Sequence, residues 1–502
     1  MNKTKNFCRE FVSWIVAWCL SMLFASVAWA QTPTSSTPPA QPSPAQPAST
    51  ANAAKPDKVP PKPDKKISPK EAQELFRSVD QILQFDSKDT GLPIKHEVKR
   101  QLASRDQVVA YLEKNMAEDK DAKRLQRSEL VLKKFGLLPR DFDLRSFLLT
   151  LLREQVAGYY DEKTKTVNLL DWLDADEQRP VLAHELTHAL QDQSFDLEKW
   201  MKEGVTDVDE KEDPTAADVE ADETDTAREA VVEGQAMVTL MDYMLAPVGK
   251  SLATSPELAQ AMENSMLAGA ADLPEFKSAP IFLQETLTFP YRYGMGFIAQ
   301  LMQNGGKQRA FSTVFEHPPE NSRQVMEPKT YLSGEHIDAL RLPNFKEDFK
   351  NYDRFDIGAI GEFDVAVLVE QYAGMEASQK MYPQWRGGYY YALRSRSDAA
   401  APLGVLYLSR WADAASAAKF AALYAASLAE RYKHLSSQPE PQGQAAANPP
   451  VETLAGTHTW TTEEGLVVIS VRKDNVLITE SLDSPTTERL TQELLPAPDG
   501  AN

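Results

Sequence analysis

Cysteine is nearly absent from this 502-residue chain, which contains only Cys8 and Cys19. Both lie within the first 30 residues, which we predict to be a cleaved signal peptide. Once that segment is removed, the chain has no thiol and cannot form a disulfide. A cysteine nucleophile and a cysteine-ligated structural zinc site are therefore excluded.

Residues 1–30 have the three parts of a secretory signal. Basic residues precede an apolar run over residues 11–27, and Ala28-Trp29-Ala30 fits a cleavage site. The apolar run is short for a membrane span, so we expect cleavage and export to a periplasm or to the medium, with no stable membrane anchor. A retained membrane anchor is the alternative.

Positive charge is also scarce, with 54 Lys and Arg residues against 73 Asp and Glu residues and a formal net charge of −19. The predicted signal contains more basic than acidic residues, so its removal makes the chain still more acidic. Such a chain repels phosphate groups. We therefore expect no nucleic-acid partner and no binding to anionic lipid.

Large apolar side chains are rare in residues 31–67, where Pro, Ala, Ser and Thr dominate. Such a segment cannot bury enough surface to fold, and it is predicted to be a disordered linker. The remaining chain is long enough for two domains. We expect a mostly helical domain with a small sheet over residues 68–350 and a smaller α+β module over residues 351–502, which together make an α+β fold.

Local patterns predict several elements of the first domain. Ser68-Pro69-Lys70-Glu71 has the cap, the proline and the glutamate of a helix start, and Gly136 would end a later helix. Two short apolar runs, 159–160 and 166–170, flank a polar turn and predict a hairpin. The acidic stretch 203–225 lacks an apolar period, so we expect a mobile surface loop, with calcium binding as the alternative.

In the C-terminal module, alternating apolar residues predict a set of strands, and residues 411–431 predict a long alanine-rich helix. The predicted strands are 388–394, 404–409, 457–462, 465–472 and 476–479. The aromatic segment 385–391 is expected to pack into a core, with a ligand-facing surface as the alternative.

Histidine is scarce as well, yet two of the seven stand four residues apart in His184-Glu185-Leu186-Thr187-His188. On a helix this spacing puts both imidazoles on one face, where they can bind a single Zn²⁺ with Glu185 beside them. Apolar neighbours predict that the helix is buried, and Pro180 suits its first position. The alternative is a solvated helix that carries the two histidines by accident.

Two histidines alone do not hold a catalytic zinc ion, which takes three protein ligands and a water molecule. A third histidine six residues after His188 is ruled out because Ser194 occupies that position. The best candidates are Glu233 and Glu229, in an apolar helix where an unpaired carboxylate is costly to bury. Gly234 would let another helix approach closely. An aspartate of the acidic stretch is a further option, and salt bridges for both glutamates are the alternative without a metal.

The H-E-L-T-H segment, followed downstream by Val232-Glu233-Gly234-Gln235-Ala236, resembles the gluzincin branch of the zincin metallopeptidases. Four segments are similar to a narrower group, exported bacterial proteins classed as metallopeptidases. These segments are 155–161, 184–193, 291–294 and 318–322. The similarity covers roughly residues 145–335 and is most specific at the H-E-x-x-H helix. Glu327-Pro328 departs from that group, which has His-Pro there.

The resemblance implies a zincin-like first domain and a zinc-dependent peptidase that acts on a peptide or protein substrate. Zn²⁺ would be held by His184, His188 and Glu233. Glu233 is favoured over Glu229 because the pattern E-G-x-A recurs in peptidases with a glutamate zinc ligand.

In such a peptidase Glu185 is the general base that takes a proton from water and delivers it to the leaving amine. A further donor usually stabilises the oxyanion, and Tyr293 is our candidate, with Tyr291 as the alternative. The alternative for either tyrosine is that it packs in the core and has no role as a donor. His317 is a further candidate, and Asp192, one turn after His188, could orient that imidazole.

Two other functions compete with the peptidase. The first is a catalytically inactive zincin fold that serves as a binding or scaffold protein of the cell envelope, with the C-terminal module as the interaction surface. The second is a secreted structural protein in which the motif is accidental. Intact His184, Glu185 and His188 argue against the first. The second predicts no stoichiometric zinc and no loss of stability with a chelator.

Overall fold

The computed structural model describes residues 66–495, apart from 118, 156–157, 203–212, 262–263, 265–273 and 438–451. The predicted signal peptide and most of the predicted linker lie outside the described residues. Among the helices that are described, none is both long enough and apolar enough to cross a membrane.

Most strands lie after residue 350, and most helices lie before it. The helices are α1 (Pro69–Thr90), α2 (Arg105–Ala117), α3 (Asp119–Phe135), α4 (Leu144–Gln155), α5 (Ala175–Phe195), α6 (Leu197–Lys202), α7 (Ala216–Leu245), α8 (Pro274–Ser278), α9 (Ile281–Gln308), α10 (Val314–Glu316), α11 (Ser322–Met326), α12 (Pro328–Ser333), α13 (Phe345–Asp348), α14 (Glu362–Ala373), α15 (Met375–Met381), α16 (Ala414–Arg431) and α17 (Ser484–Leu494). The strands are β1 (Lys99–Ala103), β2 (Tyr159–Asp161), β3 (Thr166–Leu170), β4 (Tyr352–Ala359), β5 (Trp385–Ser395), β6 (Gly404–Trp411), β7 (Leu435–Ser437), β8 (Gly456–Thr462), β9 (Gly465–Arg472) and β10 (Asn475–Glu480). A π-helical turn spans Arg309–Thr313. The α+β class is confirmed.

The two sheets differ in size and in strand direction. The small sheet has the order β1-β3-β2, in which the central β3 pairs in parallel with β1 and antiparallel with β2. The predicted hairpin is therefore present as β2 and β3. The large sheet has the order β4-β5-β6-β10-β9-β8-β7, and each neighbouring pair is antiparallel. It contains all five strands that the alternation of apolar residues predicts.

Three long helices, α5, α7 and α9, lie at the centre of the first part of the fold. Helix α7 packs against both of the others and is buried along most of its length. It crosses α9 where Gly234 faces Gly294. A β-carbon on Gly234 would lie 2.4 Å from the carbonyl carbon of Gly294, so the two backbones are in contact. The prediction that Gly234 permits a close approach of another helix is confirmed.

A side-chain cap marks the start of α1, whereas α5 begins without one. Ser68 and Glu71 form a capping box, with hydrogen bonds of 3.3 and 2.6 Å, which confirms the predicted start of α1. Helix α5 begins earlier than predicted. Its first residue is Ala175, after Asp174, and not Pro180. Pro180 lies in its second turn, where the missing N–H removes one hydrogen bond of the helix.

The prediction of a mobile loop over 203–225 is wrong for its second part. Residues 203–212 lie outside the described residues, but 216–225 form the first turns of α7. Thr215 and Asp218 start this helix with a capping box. Glu223 accepts hydrogen bonds from the backbone N–H and the hydroxyl of Ser322, at 3.0 and 2.6 Å, and is buried. Capping and tertiary packing thus override the charge pattern.

The hydrophobic core is continuous between the two parts of the chain, since a single cluster of buried side chains includes members from Ala103 to Ile478. A buried ion pair joins the same parts. Arg431 of α16 donates to both carboxylate oxygens of Glu480 in β10, at 2.8 and 2.9 Å, and to the backbone carbonyl of Lys134 in α3 at 2.5 Å. The C-terminal sheet is therefore fixed directly to a helix of the first part.

Candidate metal centre

The H-E-x-x-H segment lies in the middle of α5. One face of this helix carries Leu182, Leu186 and Leu190, which pack with α1 and the small sheet in one hydrophobic cluster. Another face carries His184 and His188, which are only 1% and 8% exposed. The apolar face thus fixes the helix, and the helix holds both imidazoles one turn apart in the interior.

Helix α7 brings Glu233 to the two histidines. Oε2 of Glu233 lies 3.1 Å from Nε2 of His184 and 3.6 Å from Nε2 of His188, and the two Nε2 atoms are 3.1 Å apart. All three side chains are buried, and their ligand atoms lie within 4.8 Å of one another, so the group could hold a metal ion. The structure therefore brings the three predicted ligands together.

Glu233 and the histidines strongly perturb one another. Burial raises the pKa of Glu233, but the neighbouring His188 and His184 outweigh this and lower the pKa to about 2. Burial lowers the pKa of His188, but the charge and hydrogen bond of Glu233 raise it to about 9. The pKa of His184 is lowered, chiefly by burial. The group therefore contains an ionised carboxylate that keeps a positive charge beside it.

The donor set fits a divalent cation. Two imidazole nitrogens 3.1 Å apart repel each other unless a proton or a metal ion lies between them. The buried carboxylate of Glu233 requires a positive charge as well. A metal ion bound by two nitrogens and one carboxylate oxygen satisfies both requirements. Zn²⁺ is commonly held by such a set, which also suits other first-row transition metals.

Glu185 lies beside the group and is almost fully buried. Its Oε2 accepts a hydrogen bond of 2.8 Å from the backbone N–H of Tyr160 in β2, while its Oε1 is buried without a hydrogen-bond partner among the described residues. Burial, with a contribution from Glu233, raises the pKa of Glu185 to about 8. A carboxylate with a pKa in this range can exchange a proton near neutral pH.

Gln191, which the sequence analysis did not identify, contacts the ring nitrogen of His188 that points away from Glu233. Its Oε1 lies 2.9 Å from Nδ1 of His188. Asp192, the predicted partner of this imidazole, instead accepts hydrogen bonds from the hydroxyl of Tyr160 at 2.8 Å and from Nζ of Lys165. One local signal could have identified Gln191. It stands three residues after His188, and residues three apart on a helix are neighbours on the same face.

The other candidate residues lie at different places. Glu229 is buried in α7 but is not a member of the group of three. His317 is exposed at the end of α10 and is not a member either. The ring of Tyr291 is fully buried and stacks against His184 with ring centroids 6.2 Å apart, whereas Tyr293 packs against Phe289. The role of either tyrosine as a donor stays a prediction, and the ring contact favours Tyr291.

No family model, no curated protein and no solved structure matches the chain.

Proposed function

We propose that this chain is a zinc-dependent peptidase that hydrolyses peptide bonds, with Glu185 as the general base. The observation that carries the proposal is the buried group of His184, His188 and Glu233, whose ligand atoms converge within 4.8 Å. A carboxylate of raised pKa beside the group completes the set of residues that this chemistry needs. Export to a periplasm or to the medium, and a peptide or protein substrate, are parts of the same proposal.

Each residue has a distinct part in the proposed reaction. His184, His188 and Glu233 would hold the ion, and zinc, when bound, acts as a Lewis acid that polarises a carbonyl and acidifies water. Glu185 takes a proton from water at Oε1, the oxygen that has no partner among the described residues, and later gives it to the leaving amine nitrogen. Its other oxygen stays on the N–H of Tyr160, which holds the carboxylate in place.

Metal analysis of four proteins tests the metal centre. Wild type, Glu185→Gln and Glu229→Gln should each contain one zinc ion per chain after purification and dialysis, and Glu233→Gln should contain far less. Glu229→Gln is the matched control, because Glu229 lies in the same helix and is buried to a similar extent. A wild-type protein that takes up no zinc even after reconstitution would contradict the proposal.

Hydrolysis of a peptide library then tests the reaction. Wild type should cleave peptides, and Glu185→Gln should keep its zinc and lose most of the activity, by about 10²-fold or more, because the base is absent. Equal activity of the two proteins would rule out Glu185 as the base.

One observation favours the alternative of an inactive binding protein. A cavity of about 270 Å³ lies away from the metal centre, between the first turns of α7, residues 336–342 and the start of β5. Part of the aromatic segment 385–391 borders it, although the rings of Trp385, Tyr389 and Tyr391 are buried in the core. If the alternative holds, the wild-type protein contains zinc, and neither it nor Glu185→Gln hydrolyses any peptide.

A further inference from the structure

We propose that Gln191 is a positioning residue that fixes His188 in the one tautomer able to bind a metal ion through Nε2. The inference rests on the proposed function, in which His188 is a zinc ligand. The neutral amide of Gln191 thus has the role, orienting the imidazole of His188, that the sequence suggested for the carboxylate of Asp192.

The contacts of the Gln191 side chain determine which way its amide faces. Its Nε2 donates to the backbone carbonyl of Val232 at 2.9 Å and to Oε1 of Gln235 at 2.8 Å. Both partners accept hydrogen bonds, so the reversed amide would place an oxygen against two oxygens. Oε1 of Gln191 must therefore face Nδ1 of His188, 2.9 Å away.

This orientation decides where the proton of His188 resides. Oε1 of Gln191 can only accept, so Nδ1 of His188 must donate. A neutral imidazole with its proton on Nδ1 has its lone pair on Nε2, the atom that faces His184 and Glu233. The Gln191 amide thus prepares Nε2 as a ligand and prevents the ring from rotating.

A second amide fixes the first. Gln235 donates through Nε2 to the carbonyl of Ala310 at 2.6 Å, so its Oε1 is the atom that faces Gln191. Ala310 lies in the π-helical turn Arg309–Thr313, whose hydrogen bonding differs from that of the α-helix before it. Gln191, Gln235 and Ala310 are all fully buried. The orientation of His188 is therefore set by a chain of contacts that runs from α5 through α7 to the π-helical turn after α9.

The Gln191 side chain carries no charge, and this affects the net charge that the site would have with a bound cation. Two neutral imidazoles and one carboxylate leave a bound divalent cation with a net charge of +1, and an amide adds nothing to that charge. Asp192, whose negative charge would reduce it, is engaged by Tyr160 and Lys165 instead. A neutral positioning residue therefore preserves the electrophilic character of the site.

The test compares zinc affinity, measured by competition with a chromophoric chelator, in three variants. Gln191→Met keeps the size of the side chain and removes its hydrogen bonds, and it should weaken zinc binding about 10- to 100-fold. Gln193→Met is the matched control on the same helix, since Gln193 bonds to the backbone of Lys95 and His96, and it should bind zinc as wild type does. Gln191→Glu keeps an oxygen that can accept from Nδ1, and it should recover most of the affinity.

Two further readouts separate positioning from folding. Urea unfolding of the metal-free proteins reports stability, which Gln191→Glu should lower even though its zinc affinity is recovered. The visible spectrum of the Co²⁺-loaded proteins reports ligand geometry, and it should change in Gln191→Met and not in Gln193→Met.

Several outcomes would overturn the inference. These are wild-type affinity in Gln191→Met, an equal loss in Gln193→Met, or an affinity in Gln191→Glu as low as in Gln191→Met. If the wild-type protein binds zinc and hydrolyses peptides while any of these holds, only the role of Gln191 is wrong. If the wild-type protein binds zinc without hydrolysing peptides, the proposed function fails, and the affinities still decide the role of Gln191. If the wild-type protein binds no zinc, both are wrong.

Discussion

Asp86 is fully buried in the last two turns of α1, and neither oxygen of its carboxylate has a hydrogen-bond partner among the described residues. Burial, and the nearby charge of Asp89, raise the pKa of Asp86 well above its usual value. A negative charge near the C-terminal end of a helix is unfavourable as well. Asp86 therefore keeps its proton in the folded protein at a pH where the unfolded chain has lost it.

We predict that Asp86→Asn stabilises the protein at neutral pH, by about 1 to 3 kcal/mol, because the side chain can no longer ionise in the interior. The folded-state pKa is raised, so the wild-type protein loses stability as pH rises from the unfolded-state pKa through the folded-state pKa. The gain from the substitution should therefore vanish in acid. Urea unfolding across pH measures this difference.

Asp80→Asn is the matched control for Asp86→Asn. Asp80 lies on the same helix but is largely exposed and paired with Arg100, so its replacement should change stability little and in the opposite direction. A stability of Asp86→Asn equal to or below that of wild type at neutral pH would contradict the argument.

At the level of elements, the crossing of α7 and α9 decides whether Glu233 reaches the histidines. The two backbones touch at Gly234 and Gly294, and Gly234 is the neighbour of Glu233 in the chain. A longer side chain at the crossing would push the helices apart. The position of the proposed metal ligand thus depends on the absence of a β-carbon one residue away.

We predict that Gly234→Ala destabilises the protein by about 1 to 3 kcal/mol and lowers its zinc content, because a β-carbon would lie 2.4 Å from Gly294. Thermal unfolding and metal analysis measure the two effects. Gly296→Ala is the control in α9, since no described atom outside the helix's own nearby backbone lies within 4 Å of a β-carbon there. It should keep its zinc and gain about 0.5 to 1 kcal/mol. Normal zinc content in Gly234→Ala would show that the crossing does not position Glu233.

The sequence predicts those elements whose signals are local. The cap at Ser68 and the hairpin around residues 159–170 depend on neighbours in the chain and are confirmed. The start of α5 at Ala175 has no side-chain cap to mark it. In 216–225 the acidic residues hide the local cap at Thr215, and the packing of this stretch against distant Ser322 could not be predicted. The same distinction applies to the candidate site. Glu233 could be found because a buried carboxylate needs a partner, whereas Gln191 is oriented by a backbone 41 residues away.

At the scale of the whole molecule, the ion pair between Arg431 and Glu480 joins the two parts of the fold. Burial raises the pKa of Glu480, but the charges of Arg431 and Lys134 outweigh it and keep the pKa below its usual value. Hydroxyl groups of Tyr424 and Tyr432 also donate to this carboxylate, at 2.7 and 2.5 Å. The carboxylate of Glu480 is therefore surrounded by donors, and its loss would leave the buried charge of Arg431 uncompensated.

We predict that Glu480→Gln lowers the free energy of unfolding by about 3 to 5 kcal/mol, because Arg431 would stay buried without a counter-ion. The folded-state pKa of Glu480 is lowered, so its contribution is present above the unfolded-state pKa and is lost as pH falls through the folded-state pKa. The variant should therefore differ least from wild type in acid. Denaturant unfolding at several pH values measures this.

Glu376→Gln serves as the control, since Glu376 pairs with Lys380 at an exposed position. Its stability should match that of wild type. A Glu480→Gln protein as stable as the control at neutral pH would show that the pair contributes little to joining the two parts.

The side chains of His184, His188 and Glu233 are each about a tenth exposed or less. An ion bound by side chains this deeply buried leaves slowly unless neighbouring segments move apart. The rates at which an ion binds and dissociates would then be limited by how often those segments open. A stronger chelator would not speed up dissociation. The time for which the protein would keep a bound ion would then be set by kinetics, through the stability of the helices around the group.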